Sequence, residues 1–213
     1  TYGGALAAAR AAGLRPVPVP ADGDGIRPEL LEAALDRTRA RVVYVQPTFA
    51  NPHGATLAPA RRAEVMRIVA AAGAFLVEDD WARDLAIDGE APPPLVADDP
   101  DGHVVHLRSL TKSAAPGLRI AAVAARGAAG ARLRAARVVD DFFVSGPLQH
   151  AALDLVSSPA WRTHARRVRS GLRERRDALV AALAGDGPAV RLATFNVAIA
   201  LAAKRSQKST YRP

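Results

Sequence analysis

The sequence predicts an α/β protein with a mostly parallel sheet and helices on both faces, followed by a helical connector and part of a smaller α+β lobe. In the first half of the chain, short apolar runs alternate with helical patterns, which is the order of parallel sheets with right-handed crossovers. After Gly127 the pattern turns helical. We therefore divide the chain into a first unit over 1–127 and a second over 128–213.

Four strands are expected in the first unit, over 42–46, 75–77, 104–107 and 120–125. The run over 42–46 reads Val-Val-Tyr-Val-Gln, which is typical of a strand buried on both faces. The run over 75–77 is a second buried strand that ends in two aspartates, Asp79 and Asp80. The stretch over 190–202 is predicted to form one or two further strands.

Helical patterns cover 5–12, 28–37, 59–72, 128–141, 147–156 and 159–184. Gly13 provides a stop for the first helix, and Pro28 opens the second. Between them, 16–20 is extended and 22–25 is a turn. Loops are expected over 47–54 and in the Pro- and Asp-rich stretch that follows Asp80.

The composition excludes several kinds of site. Cysteine is absent, which excludes disulfides and Cys-ligated zinc. His103 and His106 are three residues apart on a predicted strand, so they point to opposite faces and cannot share a metal. No apolar run approaches the roughly 20 residues of a membrane span, and we expect a cytoplasmic protein. The sequence starts at Thr1, which we interpret as the start of a fragment.

The net charge of +8 raises the question of nucleic acid binding. Arginines are spread along the whole chain, and the densest cluster lies in a long helical pattern that also contains Glu174 and Asp177. We interpret this cluster as a solvated helix face, in preference to a DNA-contact surface. It consists of Arg162, Arg166, Arg167, Arg169, Arg173, Arg175 and Arg176.

Lysine is rare in this sequence. Of the 29 basic residues, only Lys112, Lys204 and Lys208 are lysines. A primary amine can lose its proton and attack a carbonyl, whereas a guanidinium stays charged. Lys204 and Lys208 lie in a polar tail, so Lys112 is the candidate for amine chemistry.

Polar side chains follow the predicted strands where each strand ends. Ligands of such sheets bind beyond the carboxyl ends of the strands. Arg119 opens the fourth predicted strand. The candidates after the first three strands are Asn51, then Asp79, then Ser109, Thr111 and Lys112.

These segments together resemble the pyridoxal-phosphate enzymes of the aspartate-aminotransferase fold, known as fold type I. They look most like the aminotransferase-like domain of the MocR branch of GntR-type regulators. The resemblance runs from Thr1 to about Gly127 and weakens toward Leu183. The matching segments are Thr1-Tyr-Gly-Gly-Ala, Asn51-Pro-His-Gly-Ala, Arg61-Arg62, Glu78-Asp-Asp-Trp81 and 109–119.

The resemblance implies a set of roles toward pyridoxal 5'-phosphate. Lys112 would hold the cofactor as a Schiff base and shuttle the substrate proton, and Asp79, in preference to Asp80, would face the pyridine nitrogen. The phosphate would be held by Ser109, Thr111 and Arg119.

Two further ring contacts are implied. Asn51 would bond the phenolic oxygen, and the Asn51–Pro52 bond is a candidate cis peptide. Tyr2 would stack on the ring face.

The sequence departs from the family in several places. Trp81 follows the paired aspartates where the family usually has tyrosine, which donates a hydrogen bond to the phenolic oxygen of the cofactor. The indole N–H of Trp81 would either still reach that oxygen or turn away and leave Asn51 as the only donor, and we favour the second outcome. The family's phosphate loop and winged-helix domain, which would precede the matching region, are not in this sequence. The arginine that grips a substrate carboxylate cannot be located, and the tail over 204–213 does not resemble the family.

Three functions remain open. The chain is the effector-sensing part of a transcription regulator, or a free-standing aminotransferase acting on an amino acid and a 2-oxo acid, or a non-catalytic remnant. Fold alone does not decide between them. The regulator is favoured slightly, because the Glu-Asp-Asp segment and the arginine-rich helix resemble that branch. The expected partners are an amino-acid-like molecule and a second copy of the chain, with DNA contacted only through a domain absent from this sequence.

Overall fold

The computed structural model describes residues 2–183, so the strands predicted over 190–202 lie outside the described residues. The helices are α1 (Gly3–Ala11), α2 (Pro28–Thr38), α3 (Pro59–Ala71), α4 (Gly127–Asp140), α5 (Gly146–Ser157) and α6 (Pro159–Leu183). The strands are β1 (Ala21–Asp22), β2 (Gly25–Ile26), β3 (Val42–Val45), β4 (Phe75–Asp79), β5 (Val104–Ser109) and β6 (Ala121–Ala125). All six predicted helices are present, each within two residues of its expected ends. No described helix is both long and apolar enough to cross a membrane.

Within residues 2–183, the main sheet has four strands in the order β3-β4-β5-β6. The β3–β4 and β4–β5 pairs are parallel, whereas β6 runs antiparallel to β5. The predicted mostly parallel α/β fold is therefore confirmed. Two parallel pairs place the carboxyl ends of β3, β4 and β5 along one edge of the sheet, and the β5–β6 connection begins at that same edge.

The two faces of the sheet differ in burial. Val43, Val45, Leu76 and Val104 form one face, and each is at most 7% exposed. The opposite face is only half-buried, and Val42 is 50% exposed. The expectation that the first strand is buried on both faces was therefore wrong for the described residues, because its side chains alternate between a buried and a partly open face.

Helices α2 and α3 cover the buried face. Both begin with proline at the first helical position, where the missing N–H costs no hydrogen bond. Their inward residues join the sheet in one core, which includes Leu31, Leu35, Val65, Ile68 and Val69. Burying a side chain of this size stabilises the fold by about 1.5–3 kcal/mol.

The turn predicted over 22–25 is a short antiparallel hairpin of β1 and β2. The backbone N–H of Asp24 donates to Asp22 Oδ1 at 2.9 Å, which closes the turn. Arg61, from the start of α3, donates to both carboxylate oxygens of Asp22 at 2.6 and 2.9 Å. This bidentate pair ties the hairpin to the helix.

The loop predicted after Asp80 contains two short 3₁₀ helices, Arg83–Leu85 and Leu95–Asp98. The second predicted strand is also longer than expected, since Glu78 and Asp79 belong to it. Sequence periodicity missed these residues because acidic side chains break the apolar run that marks a buried strand.

Candidate functional site

The candidate residues lie where the structure brings the carboxyl ends of three strands together. Asp79 is the last residue of β4, and Ser109 is the last residue of β5. Asn51 lies in the loop that follows β3, while Thr111 and Lys112 lie in the turn that follows β5. The predicted edge of the sheet therefore carries all five of these side chains.

Asp79 is half-buried and accepts two hydrogen bonds on the same oxygen. The Tyr44 hydroxyl and the Gln46 amide both donate to Asp79 Oδ2, the amide at 3.0 Å. Burial, and then the neighbouring Asp79 carboxylate, raise the pKa of Tyr44 above its usual range, so its hydroxyl keeps its proton. These two donors, one in β3 and one just after it, were not predicted from the sequence, because their contacts depend on the pairing of β3 with β4.

Asp80 lies on the opposite face of the sheet from Asp79. Its side chain is fully buried, and Arg83 donates to its Oδ2. Burial raises the pKa of Asp80, while the Arg83 guanidinium opposes that shift. Of the two aspartates, only Asp79 is thus partly open at the end of β4.

A buried polar cluster accompanies Asp80 and was also missed. Glu78, Asp80 and His106 have ligand atoms within 4.8 Å of one another. Glu78 Oε1 already accepts the N–H of Leu95 at 2.7 Å, and its Oε2 lies 3.0 Å from His106 Nδ1. With these bonds made and Arg83 on Asp80, the cluster is a structural network. His103 has a separate contact, Nδ1 to the Ala74 carbonyl oxygen at 2.8 Å, so it does not join His106.

The loop after β3 has the predicted cis bond between Asn51 and Pro52. The backbone N–H of Asn51 donates to Gln46 Oε1 at 2.9 Å. The loop is closed by the N–H of Gly54, which donates to the Ala50 carbonyl at 2.6 Å. Asn51 is half-buried in this turn.

Lys112 lies on a turn between β5 and β6 and is exposed. The N–H of Thr111 donates to the Ser109 hydroxyl at 3.2 Å, which shapes the start of the turn. Arg119 lies near the end of the β5–β6 connection, and its backbone has a left-handed conformation with φ of 50°. The N–H of Leu110 donates to the Ile120 carbonyl at 3.2 Å, so Arg119 returns to the level of the Ser109 turn.

Tyr2 and Trp81 are the two aromatic candidates. Tyr2 is the residue before α1 and is 52% exposed. Its ring lies over Gly4, where an added Cβ would approach the ring to 2.6 Å. Trp81 is half-buried in the turn after β4.

The arginine-rich helix α6 is only partly solvated, so that expectation needs correction. Arg169 and Arg173 donate to the carbonyls of Asp84 and Ile87, the first at 3.0 Å. Arg176 pairs with Asp88. These three arginines connect α6 to the segment 84–88. The other four members of the cluster are exposed, as expected, namely Arg162, Arg166, Arg167 and Arg175.

Neither of the two best-defined clefts among the described residues includes Asp79 or Lys112. The larger, of about 250 Å³, is lined by Asp84, Trp161, Arg162, Ala165, Arg166 and Arg169. The smaller, of about 200 Å³, is lined by Ala114, Ala115, Leu118, Leu155 and His164.

Comparison with known proteins decides the family. The family model described as aminotransferase class I and II matches residues 1–201. The chain belongs to this aminotransferase family. Solved aminotransferase structures share the fold of this chain. LysN, an α-aminoadipate aminotransferase from Thermus thermophilus, superposes with a TM-score of 0.80 at 31% identity. The match covers 88% of this chain and 49% of LysN. A kynurenine aminotransferase from Pyrococcus horikoshii has a TM-score of 0.82 at 28% identity, over 88% of this chain and 48% of that one.

The curated relatives of this aminotransferase-family chain include both regulators and enzymes. The HTH-type transcriptional regulator YdfD of Bacillus subtilis is 29% identical over 88% of this chain and 39% of its own length. The regulator YisV of the same organism is 32% identical over 80% of this chain and 35% of its own length. Aromatic-amino-acid aminotransferase 1 of Thermococcus litoralis is 30% identical over 78% of this chain and 41% of its own length. The chain thus spans about two fifths of these relatives.

Proposed function

We propose that this chain binds pyridoxal 5'-phosphate through Lys112 and is the effector-sensing part of a transcription regulator. The observation that carries the cofactor assignment is the placement of Asp79, Lys112 and Arg119 at one edge of the sheet. A solved relative at 31% identity, LysN, is complexed with N-(5'-phosphopyridoxyl)-L-leucine, a cofactor joined to an amino acid. Regulators of the HTH type stand among the curated relatives at 29–32% identity, which supports the second half of the proposal.

The side chains at the edge fit this cofactor in chemical type. Lys112 offers an exposed primary amine for the aldehyde, and Asp79 offers a carboxylate for the pyridine nitrogen. The phosphate requires donors, which Ser109, Thr111 and Arg119 provide as two hydroxyls and a guanidinium. The donor set therefore covers the three charged or reactive ends of the cofactor.

Each residue would have a distinct task. Lys112 would hold the cofactor covalently and move a proton at the amino carbon of the ligand, while Asp79 would keep a proton on the ring nitrogen. When bound, the cofactor supplies an electron sink for that carbon. Asn51 would donate to the phenolic oxygen. Tyr2 would offer aromatic surface to the ring, and a stacked pair contributes about 0.5–1.5 kcal/mol beyond area burial. The indole N–H of Trp81 would either donate to the same phenolic oxygen or turn away from it.

The burial of the paired aspartates supports the choice of Asp79. Asp80 is fully buried and already paired with Arg83, so it has no access to a ligand at the edge. Asp79 is half-buried and fixed through Oδ2 by two neutral donors. A carboxylate held in this way has a defined direction without a competing charge.

A free-standing aminotransferase is the second candidate, and enzymes among the relatives favour it. Both candidates would bind an amino-acid-like molecule, and both would work in the cytoplasm. The regulator and the enzyme differ in the consequence of binding that molecule. In the regulator, binding changes DNA affinity, whereas in the enzyme it leads to turnover with a 2-oxo acid.

The proposal also includes a homodimer. The end of α4 and the turn after it expose four large apolar side chains, namely Val138, Val139, Phe142 and Phe143, each at least 64% exposed. Several large apolar side chains exposed so close together in sequence are expected where a partner covers the surface. Sedimentation of the intact protein carrying Phe142→Ser and Phe143→Ser would test this. If these side chains hold the dimer together, the substituted protein should dissociate at a higher protein concentration than the unchanged protein does.

One experiment separates the two candidates. The intact protein is loaded with pyridoxal phosphate and mixed with a DNA fragment from upstream of its own gene, with and without added amino acids. A regulator should bind the fragment with a cofactor-dependent affinity and show little turnover. The coding sequence upstream of Thr1 gives an independent check, because a winged-helix domain there marks a regulator. Rapid transamination without DNA binding would refute the regulator and support the enzyme.

A further inference from the structure

Gln46 is the residue immediately after β3, and its side-chain amide joins two parts of the candidate site. Nε2 donates to Asp79 Oδ2 at 3.0 Å. The backbone N–H of Asn51 donates to Gln46 Oε1 at 2.9 Å. One amide thus connects the end of β4 with the loop that follows β3.

The chemistry of the partners fixes the orientation of this amide. A backbone N–H only donates, so the atom that faces Asn51 must be the oxygen. An ionised carboxylate only accepts, so the atom that faces Asp79 must be the nitrogen. The two contacts support each other, and a flipped amide would lose both.

The strand register explains why Gln46 reaches Asp79. Val45 is paired with Glu78, so the next residue on each strand, Gln46 and Asp79, lie side by side on the same face. Tyr44 is two residues earlier on that face, and its hydroxyl donates to the same Asp79 oxygen. One side chain of β3 and one from the residue just after it therefore hold one oxygen of this carboxylate.

We infer that Gln46 is a positioning residue that holds the Asn51 loop and the Asp79 carboxylate in a fixed relation to the cofactor ring. The inference rests on the proposed function, in which Asp79 faces the pyridine nitrogen and Asn51 faces the phenolic oxygen. These groups belong to different elements, and the Gln46 amide connects them directly. Its loss would let the carboxylate and the loop move independently.

Two substitutions in the intact protein separate the two hydrogen bonds. Gln46→Leu removes both. Gln46→Glu keeps an acceptor for the Asn51 N–H, but when ionised it places a carboxylate against Asp79 and cannot donate. When protonated it donates again, so its defect should depend on pH. Gln149→Leu is the matched control, because Gln149 lies on α5, away from Asp79 and Asn51, and its side-chain amide donates to the Val144 carbonyl at 2.7 Å.

The measurements are the dissociation constant of pyridoxal phosphate at pH 6 and pH 8, and the melting temperature of the cofactor-free protein. We expect Gln46→Leu to weaken binding by roughly tenfold at both pH values, the scale of one or two net hydrogen bonds. Gln46→Glu should lose more affinity, relative to the unchanged protein, at pH 8 than at pH 6. A purely structural role would lower the melting temperature without this difference between the two pH values.

The outcomes are distinguishable. If both Gln46 variants bind within twofold of the unchanged protein at both pH values, the positioning role is wrong while the proposed function stands. If Gln46→Leu does not fold, the pH dependence of the isosteric Gln46→Glu decides alone. If the unchanged intact protein binds no pyridoxal phosphate, the proposed function fails and the role of Gln46 fails with it.

Discussion

His106 Nδ1 lies 3.0 Å from Glu78 Oε2, across the pairing of β5 with β4, in the buried face of the sheet. The Glu78 carboxylate also accepts the backbone N–H groups of Leu95 and Val96, at 2.7 and 3.2 Å. One fully buried side chain thus connects two strands and the start of a 3₁₀ helix. This network lies directly behind Asp79, so it supports the strand end that carries the candidate site.

Glu78→Ala should destabilise the fold by about 3 kcal/mol or more. The substitution leaves buried N–H groups without an acceptor, each costing about 1–3 kcal/mol. Urea unfolding measures the change. Glu64→Ala on the exposed side of α3 is the control and should change stability by less than about 0.5 kcal/mol. Equal effects of the two substitutions would show that the network does not stabilise the fold.

Arg61→Ala should destabilise the hairpin in a pH-dependent way. Hydrogen bonds from Arg61 are the main cause that lowers the pKa of Asp22 from 3.8 to about 2. A lowered carboxylate pKa stabilises the fold above the unfolded value, and this contribution is lost as the pH falls through the folded value. The difference in melting temperature should therefore be full at pH 7 and shrink between about pH 4 and pH 2.

Because the pair is exposed, the effect should be small, about 2 °C at pH 7. Arg67→Ala is the control, since Arg67 contacts Glu32 at 3.5 Å and is 59% exposed. Arg61 also donates to the Gly25 carbonyl at 3.1 Å, so a constant part of the difference should remain at pH 2. A difference that does not change with pH would contradict the role of Asp22.

Arg119→Ala should weaken the binding of pyridoxal phosphate by roughly tenfold or more, because a hydrogen bond between charged groups is worth about 1.5–3 kcal/mol. The absorbance of the bound form should change little, since the guanidinium would contact the phosphate and not the ring. A titration of the intact protein measures both. Arg132→Ala, on the exposed side of α4, should leave the dissociation constant unchanged. If Arg119→Ala binds as tightly as that control, the phosphate role is wrong.

Much of the fold could be predicted because its signals are local. The apolar runs of β3 and β5 and the proline-started helices α2 and α3 are encoded in neighbouring residues. The sequence also predicted the sheet edge at which Asp79 and Lys112 lie, since that follows from strand order in a parallel sheet.

The contacts made between strands could not be predicted. Gln46 meets Asp79, and Glu78 meets His106, only because of the register in which β3, β4 and β5 pair. The hydrophobic pattern of a strand tells which of its side chains face the core, but it does not tell which residue of a neighbouring parallel strand each one will lie beside. The attachment of α6 to the segment 84–88 was missed for the same reason, because its arginines bond distant backbone carbonyls. The division of the chain at 127 and 128 stays a prediction.

The central claim is that Lys112 binds pyridoxal phosphate covalently, and borohydride reduction tests it most directly. Three lysines lie in this sequence. Peptide mass after reduction of the intact protein with the cofactor identifies which lysine is modified, whether it lies in this sequence or elsewhere in the protein. We expect the mass increase on Lys112, and its loss together with the visible absorbance band in Lys112→Ala. Lys204→Ala and Lys208→Ala should retain both signals. A visible band and a reduced adduct that survive in Lys112→Ala would contradict the account.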